Sequence, residues 1–227
     1  MTNLIDCVAI VSGGMDSVTL LHYLVVREKR SPAVISYAYG QKHARELECA
    51  KAQVALLGCP EHKIVDLTDL AYLFSSSALV SPDLALPNIE DIQGNPQPPT
   101  YVPNRNMIFL ALAAAYAESR GVRRVFYGAQ AHDLYGYWDT TPDFLSRINA
   151  VFSLNRGQPI QIEAPFIYHS KADVLRTGIA LGVDYAQTWS CYAGGEIACG
   201  RCPTCAERLN AFAEVGLVDP IPYRDPA

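Results

Sequence analysis

A glycine turn near the start of the chain, Ser12-Gly13-Gly14-Met15-Asp16-Ser17, joins an apolar run to a helical pattern. The run Cys7–Val11 is short and rich in β-branched residues, as in a buried parallel strand. Apolar residues then recur at helical spacing from Val18 to Val25. A strand, a glycine turn and a helix N-terminus together direct backbone N–H groups and the helix dipole at an anion. The pattern predicts a phosphate site, in which both glycines are free to adopt φ > 0 and both serines can donate hydroxyls.

The kind of phosphate site is narrowed by motifs that do not occur. The chain has neither G-x-x-x-x-G-K-[ST] nor G-x-G-x-x-G. Ser12–Ser17 instead resembles the S-G-G-x-D-S pyrophosphate loop of ATP-dependent adenylating enzymes. That resemblance implies cleavage of ATP between the α- and β-phosphates, with a carboxylate or carbonyl activated as an adenylate. The competing interpretation is a plain strand–turn–helix, in which Asp16 only caps the helix.

A second group of chemically capable residues is a cluster of cysteines near the C-terminus. Cys191, Cys199, Cys202 and Cys205 form C-x7-C-x2-C-x2-C. Four thiolates complete the coordination of a tetrahedral zinc ion and leave no position for water, so the pattern predicts a structural zinc site that pins a helix over 206–215. An iron–sulfur cluster and a thioredoxin-like redox pair are the alternatives.

Composition sets the class of protein. The 227 residues are 50% apolar with a net charge of −5, and no apolar run approaches the length of a membrane span. We expect one globular domain without a secretory signal, located in the cytoplasm. The acidic balance argues against a protein that mainly grips nucleic acid. Seven cysteines in such a compartment are not expected to form a disulfide framework.

Strand and helix patterns alternate along most of the chain, which predicts parallel βαβ units. A doubly wound, five-stranded parallel sheet of α/β class follows, and its site should lie beyond the carboxyl ends of the strands, where the glycine turn, Tyr39–Lys42 and Asp66 fall. The predicted strands cover 7–11, 33–39, 62–67, 123–128 and 160–165. The predicted helices begin near Asp16, Gln41, Asn104, Thr141 and Ser170, and Thr141 and Ser170 are candidate caps.

Periodicity disappears between Ser75 and Pro103, a stretch that contains six prolines. A long irregular loop in a compact domain favours a mobile lid over the active site, with disorder as the alternative. We therefore divide the chain into an ATP-binding α/β domain, 1–187, with this lid at 75–103, and a zinc-binding segment with a C-terminal helix, 188–227, packed on the same domain.

Six blocks together resemble the 7-cyano-7-deazaguanine synthase (QueC) family over nearly the whole chain. They lie in the family's order and far exceed the specificity of any one motif. The blocks are Ser12–Ser17, Tyr39–His43, Tyr101–Asn106, Asp133–Asp139, Glu163–Pro165 with Ser170-Lys171, and Thr188–Tyr192 with Cys199–Cys205.

The resemblance implies an adenine nucleotide alpha-hydrolase-like fold and an ATP-dependent ligase. The substrate would be 7-carboxy-7-deazaguanine, converted with ammonia to the amide and then the nitrile, with Mg²⁺ and Zn²⁺ as metals and a homodimer as the assembly. No nucleic acid or membrane partner is implied. Catalytic candidates are Asp16, Ser17, Arg105 and Lys171. ATP-binding candidates are Ser12, Gly13, Gly14, Asp16, Ser17, Tyr39 and Gln41. Substrate-binding candidates are Arg105, Asp133, Tyr137, Asp139 and Glu163.

The chain departs from the family pattern at three positions. Ala38 stands where the family usually has an acid, and Thr140-Thr141 stand where it has a Cys-Arg pair. These changes open an alternative in which the activated carboxylate is transferred to a protein amine, as in family members of anti-phage defence systems. A non-catalytic, zinc-containing nucleotide-binding module is the alternative of another class, and a tRNA-thiolating enzyme is a third that the acidic balance disfavours.

Overall fold

The central element is a five-stranded, fully parallel sheet with strand order β3-β2-β1-β4-β5. It is seen in a computed structural model that describes residues 5–42, 45–92, 94–95, 97–131 and 137–224. The order reverses direction between β1 and β4, which creates the crevice where open α/β sheets bind ligands. The strands are β1 Cys7–Ile10, β2 Pro32–Ala38, β3 Glu61–Asp66, β4 Arg124–Phe126 and β5 Gln161–Glu163.

Helices cover both faces of the sheet, as in a doubly wound fold. Alternation along β1 sends Cys7 and Ala9 into one apolar layer and Val8 into the other. The first layer contains residues of α1, α2 and α5, and the second contains residues of α3 and α4. The six α-helices of the described residues are α1 Met15–His22, α2 Arg45–Leu56, α3 Arg105–Ser119, α4 Pro142–Phe152, α5 Lys171–Ala180 and α6 Pro203–Val215. The predicted α/β fold class is confirmed.

Local sequence signals explain where several helices begin. Thr141 caps α4 by accepting from the Phe144 N–H at 3.1 Å, with Pro142 at the first helical position. Ser170 and Asp173 form a reciprocal capping box on α5. Two predicted starts were wrong. Gln41 and Lys42 lie outside α2, and α6 begins three residues earlier than predicted, because Pro203 directly follows the Cys202 N-cap.

The segment between Ser75 and Asn104 contains no α-helix or strand among its described residues. Its two ends are nevertheless packed, since Ala78, Leu79 and Val102 are buried and the Ala78 N–H donates to the Pro99 carbonyl at 2.7 Å. The predicted absence of regular structure is confirmed there, and its role as a mobile lid stays a prediction.

The C-terminal segment 188–227, here called the cysteine segment, contacts the glycine turn directly. The Trp189 N–H donates to the Gly13 carbonyl at 3.1 Å, and the Arg45 guanidinium lies 4.2 Å from the centre of the Trp189 ring. Within this segment, α6 packs on α1 and α5 through Met15, Leu175 and Phe212. Among the described residues, the search for a helix long and apolar enough to cross a bilayer finds none.

Candidate active site

The glycine turn is held in shape by the Ser17 hydroxyl. Its Oγ accepts from the N–H groups of Ser12 and Gly13, both at 3.2 Å, and donates to the Gly14 carbonyl at 3.2 Å. The Ser12 Oγ lies 3.1 Å from the Ser17 Oγ. These bonds organise the turn before any ligand arrives.

Gly13 is required by both conformation and space. Its φ is +103°, and a Cβ there would lie 1.9 Å from the Glu46 carbonyl oxygen on α2. Gly14 differs from the expectation of positive φ, because it is the N-cap of α1 with φ −75°. No side chain caps α1 in the described structure. The first N–H groups of the helix are therefore available to an anion in the pocket that Ser12, Gly14 and Asp16 line.

Lys171 lies between two carboxylates at this pocket. Its Nζ donates to the Asp16 Oδ2 at 2.7 Å and lies 3.7 Å from the Glu207 Oε2. The three residues, here called the Lys171 cluster, begin α5, open α1 and follow the first turn of α6, and all three line the pocket. The Asp16 Oδ1 is buried and has no hydrogen-bond partner in the described part of the chain.

Another part of the pocket wall is aromatic and includes the partly buried Arg105. The Tyr37 and Phe109 rings stack with centroids 4.1 Å apart, and Tyr39 packs edge-on against Phe109. Burial works against the charged form of Arg105, but Tyr39, Tyr192 and Asp139 outweigh it and raise the guanidinium pKa above its usual range. Burial also raises the pKa of the Tyr39 phenol. The wall can therefore offer a fixed positive charge and a neutral hydroxyl beside flat apolar surfaces.

The structure brings most predicted binding residues to this pocket. Its wall contains Ser12, Gly14, Asp16, Ser17, Tyr39, Gln41, Arg105, Tyr137 and Lys171. Gly13 lies behind the wall against α2. The Gln41 amide is engaged with the end of β2, because it accepts from the Tyr39 N–H at 2.7 Å and donates to the Tyr37 carbonyl at 3.1 Å.

Three predicted substrate residues lie elsewhere or outside the described residues. Asp139 is buried behind the wall and accepts from the Asn106 N–H at 3.1 Å. Glu163 is not brought into the pocket, since its carboxylate forms a bidentate ion pair with Arg124, one bond of which measures 2.6 Å. Asp133 lies outside the described residues, as does His43 of the second block.

Asp66 and Lys42 do not join the pocket wall, contrary to expectation. The edge strand β3 carries Asp66 away from the crevice, and Asp66 instead accepts from Thr68 at 2.7 Å. Lys42 bonds to the Leu84 carbonyl at 2.9 Å.

Only one of the three departures from the family pattern lies in the pocket wall. Thr140 lines the pocket, whereas Thr141 is the cap of α4. Ala38 lies between Tyr37 and Tyr39, which face the pocket, so strand alternation turns it to the other side.

The four predicted cysteines converge on one point, where they could hold one metal ion. Their sulfurs all lie within 4.8 Å of one another, with Cys199 and Cys205 3.9 Å apart. Hydrogen bonds from the thiols of Cys202 and Cys205 lower the pKa of Cys191 to about 4. The Cys199 N–H also donates to the Cys191 sulfur at 3.3 Å. Hydrogen bonds with neighbouring thiols and burial raise the pKa of Cys199 and of Cys205, so binding of a soft or borderline cation, which prefers four thiolates, would have to displace protons from the cluster.

Several pocket residues were missed by sequence reasoning. Glu46 and Phe109 are on helices, and Ser190, Tyr192, Thr204 and Glu207 belong to the cysteine segment. The signal for the last four was their position within or beside the cysteine block. The spacing of the cysteines predicts only a structural metal site there, whereas residues within and beside the block also form part of the pocket.

Comparison with known proteins decides the family. The family model described as "Queuosine biosynthesis protein QueC" matches residues 6–216. Proteins named 7-cyano-7-deazaguanine synthase are 46% identical in Caldicellulosiruptor bescii, over 95% of this chain and 96% of the relative, and 44% identical in Hahella chejuensis, over 95% and 92%. The chain belongs to the QueC family. The resemblance drawn from the six sequence blocks is thereby confirmed.

A more distant similarity supports the fold of this QueC-family chain. A U34-tRNA thiolase from Methanococcus maripaludis, solved with its [4Fe-4S] cluster, superposes with a TM-score of 0.50 at 17% identity. The match covers 84% of this chain and 62% of the thiolase. At this identity the similarity concerns the α/β fold alone.

Proposed function

We propose that this QueC-family protein uses ATP to convert 7-carboxy-7-deazaguanine and ammonia into 7-cyano-7-deazaguanine. The observation that carries the proposal is the sequence identity of 44–46%, over 95% of this chain, to proteins named 7-cyano-7-deazaguanine synthase. The pocket supports it, because the glycine turn and the Lys171 cluster line the same pocket as aromatic side chains that suit a flat heterocycle.

The chemistry requires a carboxylate to become an electrophile. Transfer of the AMP group to a carboxylate oxygen releases pyrophosphate and makes that oxygen a good leaving group. Ammonia then replaces AMP to give the amide and loses a proton. Adenylation of the amide oxygen releases a second pyrophosphate, and loss of AMP and of both amide N–H protons then gives the nitrile, so one pocket uses ATP in both stages.

Charge stabilisation at the phosphates is the main task of the residues. The α1 N-terminus and the Ser12–Ser17 turn are suited to the pyrophosphate, with Lys171 and Arg105 compensating negative charge. Mg²⁺, when bound, supplies further charge neutralisation at the leaving pyrophosphate. The unpartnered Asp16 Oδ1 fits the role of an oxygen ligand for it.

Recognition of the deazaguanine is assigned to the aromatic side. Tyr137 and Arg105 lie in the wall, and Asp139 lies directly behind it. Asp133 remains a candidate by its position in the fourth block. Glu163 is the weakest of the substrate-binding candidates, because its carboxylate forms an ion pair with Arg124.

We assign zinc to the four cysteines as a structural ion. Sulfurs at about 2.3 Å from a single tetrahedral ion lie about 3.8 Å from one another, close to the 3.9 Å between Cys199 and Cys205. A multi-iron cluster would hold the sulfurs further apart.

A cytoplasmic location is also part of the proposal, because it fits seven free thiols. A homodimer is proposed on the family resemblance alone.

Incubation with 7-carboxy-7-deazaguanine, MgATP and ammonium, followed by mass spectrometry, tests the function. We expect the nitrile, with AMP and pyrophosphate. Asp16→Asn should abolish ATP cleavage, whereas Asp143→Asn, on an exposed i,i+4 pair of α4, should not. Arrest at the amide or adenylate would refute the nitrile-forming step and redirect attention to Thr140. Binding of nucleotide without ATP cleavage would refute the enzyme proposal. The comparisons give no support to a protein acceptor.

A further inference from the structure

Glu207 is a buried carboxylate that the proposed chemistry does not yet use. It is 7% exposed, lines the pocket and lies 3.7 Å from the Lys171 Nζ. It comes from α6, the helix whose first turn contains Cys205, and not from the strand-end loops that form most of the site. A carboxylate buried at this position has a large desolvation cost unless a cation stays near it.

Lys171 prefers Asp16 in the structure. The Lys171–Asp16 contact is a hydrogen bond of 2.7 Å, whereas the contact with Glu207 is a longer ion pair. A divalent cation on the Asp16 Oδ1 would repel the ammonium, which is bonded to the Oδ2 of the same carboxylate. The ammonium must then move, and a displacement of about 1 Å would bring it within hydrogen-bond distance of Glu207.

We propose that Glu207 is a positioning residue that holds Lys171 in the pocket when Asp16 binds the divalent cation. This inference rests on the proposed function, since it assigns Mg²⁺ to Asp16. Glu207 thereby makes it easier for the divalent cation to replace the Lys171 ammonium at Asp16, and it keeps that ammonium near the phosphates. Without Glu207, Lys171 would stay on Asp16 and oppose the cation.

The inference gives Glu207→Gln a signature that a structural role would not give. The substitution keeps the side-chain volume and removes one negative charge. The variant should bind metal-free α,β-methylene-ATP at least as tightly as the original protein, because a carboxylate near the phosphates is gone. Its Mg²⁺ requirement should rise by about tenfold or more, as for loss of an outer-shell partner of a metal ligand.

Calorimetric titration with α,β-methylene-ATP, with and without Mg²⁺, measures both quantities without turnover. Glu214→Gln is the matched control, because it makes the same change on the exposed part of α6, 61% exposed beside Arg176. Glu207→Asp retains the charge and should keep a Mg²⁺ requirement close to that of the original protein. Zinc content and thermal stability are recorded for every variant.

The outcomes separate this inference from the function on which it rests. An unchanged Mg²⁺ requirement in Glu207→Gln, with normal nitrile formation by the original protein, would overturn the inference alone. If Glu207→Gln loses zinc and binds α,β-methylene-ATP more weakly both with and without Mg²⁺, the inference is also overturned, and Glu207 has a structural role. Failure of the original protein to bind the analogue with Mg²⁺ would overturn both.

Discussion

At the scale of single residues, the Ser17 hydroxyl has the most contacts in the phosphate turn. Ser17→Ala would leave the N–H groups of Ser12 and Gly13 without their acceptor. The buried Gly13 N–H would cost about 1–3 kcal/mol when unsatisfied, whereas solvent can reach the exposed Ser12, so the turn should lose its shape before binding mainly at Gly13. We expect affinity for α,β-methylene-ATP to fall by about tenfold or more. Calorimetric titration checks this.

Ser119→Ala provides the control for that prediction. The Ser119 hydroxyl donates to the Tyr116 carbonyl at 2.7 Å at the exposed end of α3. It should leave nucleotide affinity unchanged. If Ser17→Ala lowers the melting temperature but binds the analogue normally, the hydroxyl serves stability and not phosphate binding.

At the scale of elements, a buried ion pair links α6 to the chain that follows it, through Arg208 on the helix and Asp219 beyond its end. Arg208 is fully buried and donates to both oxygens of Asp219, at 2.7 and 2.9 Å, and to the Thr188 hydroxyl at 2.6 Å. Arg208→Met would leave the Asp219 charge buried with no cation, which costs about 3–5 kcal/mol. Urea unfolding measures the loss in the free energy of unfolding.

A surface ion pair on the neighbouring helix is the reference for this cost. Arg176 pairs with Asp173 and Glu214 but is 47% exposed, so Arg176→Met should cost less than about 1 kcal/mol. Arg208→Met/Asp219→Leu should recover part of the loss, because no charge is left buried. Equal costs for Arg208→Met and Arg176→Met would contradict the assignment.

The elements also show what sequence reasoning could reach. Apolar periodicity and glycine turns sufficed for the five strands, and Thr141 and Ser170 marked two helix starts by local hydrogen bonding. Local patterns carry no information on lateral order, so the position of β3 at the edge, and with it the loss of Asp66 from the site, was not predictable. Glu207 meets Lys171 only through the packing of α6 on α5, which no spacing within either helix reveals.

At the scale of the whole molecule, the cysteine site connects the end of the chain to the active site. Its segment supplies Ser190, Tyr192, Thr204 and Glu207 to the pocket wall, and the Trp189 N–H bonds to the Gly13 carbonyl. The two apolar layers around the sheet consist largely of residues outside this segment. Loss of the metal should therefore loosen the segment while the sheet stays folded.

Metal removal tests this separation directly. Elemental analysis should find about one zinc per chain, because four thiolates complete the coordination shell of one zinc ion. After stripping by a thiol reagent and chelator, followed by reduction, we expect lost nucleotide binding, rapid proteolysis beyond residue 188 and largely retained far-ultraviolet circular dichroism. Zinc should restore binding, because ligand thiolates re-form the site on metal addition. Visible absorbance with bound iron and sulfide would instead establish a cluster, and unchanged nucleotide binding after stripping would show that the segment holds its pocket residues without the metal.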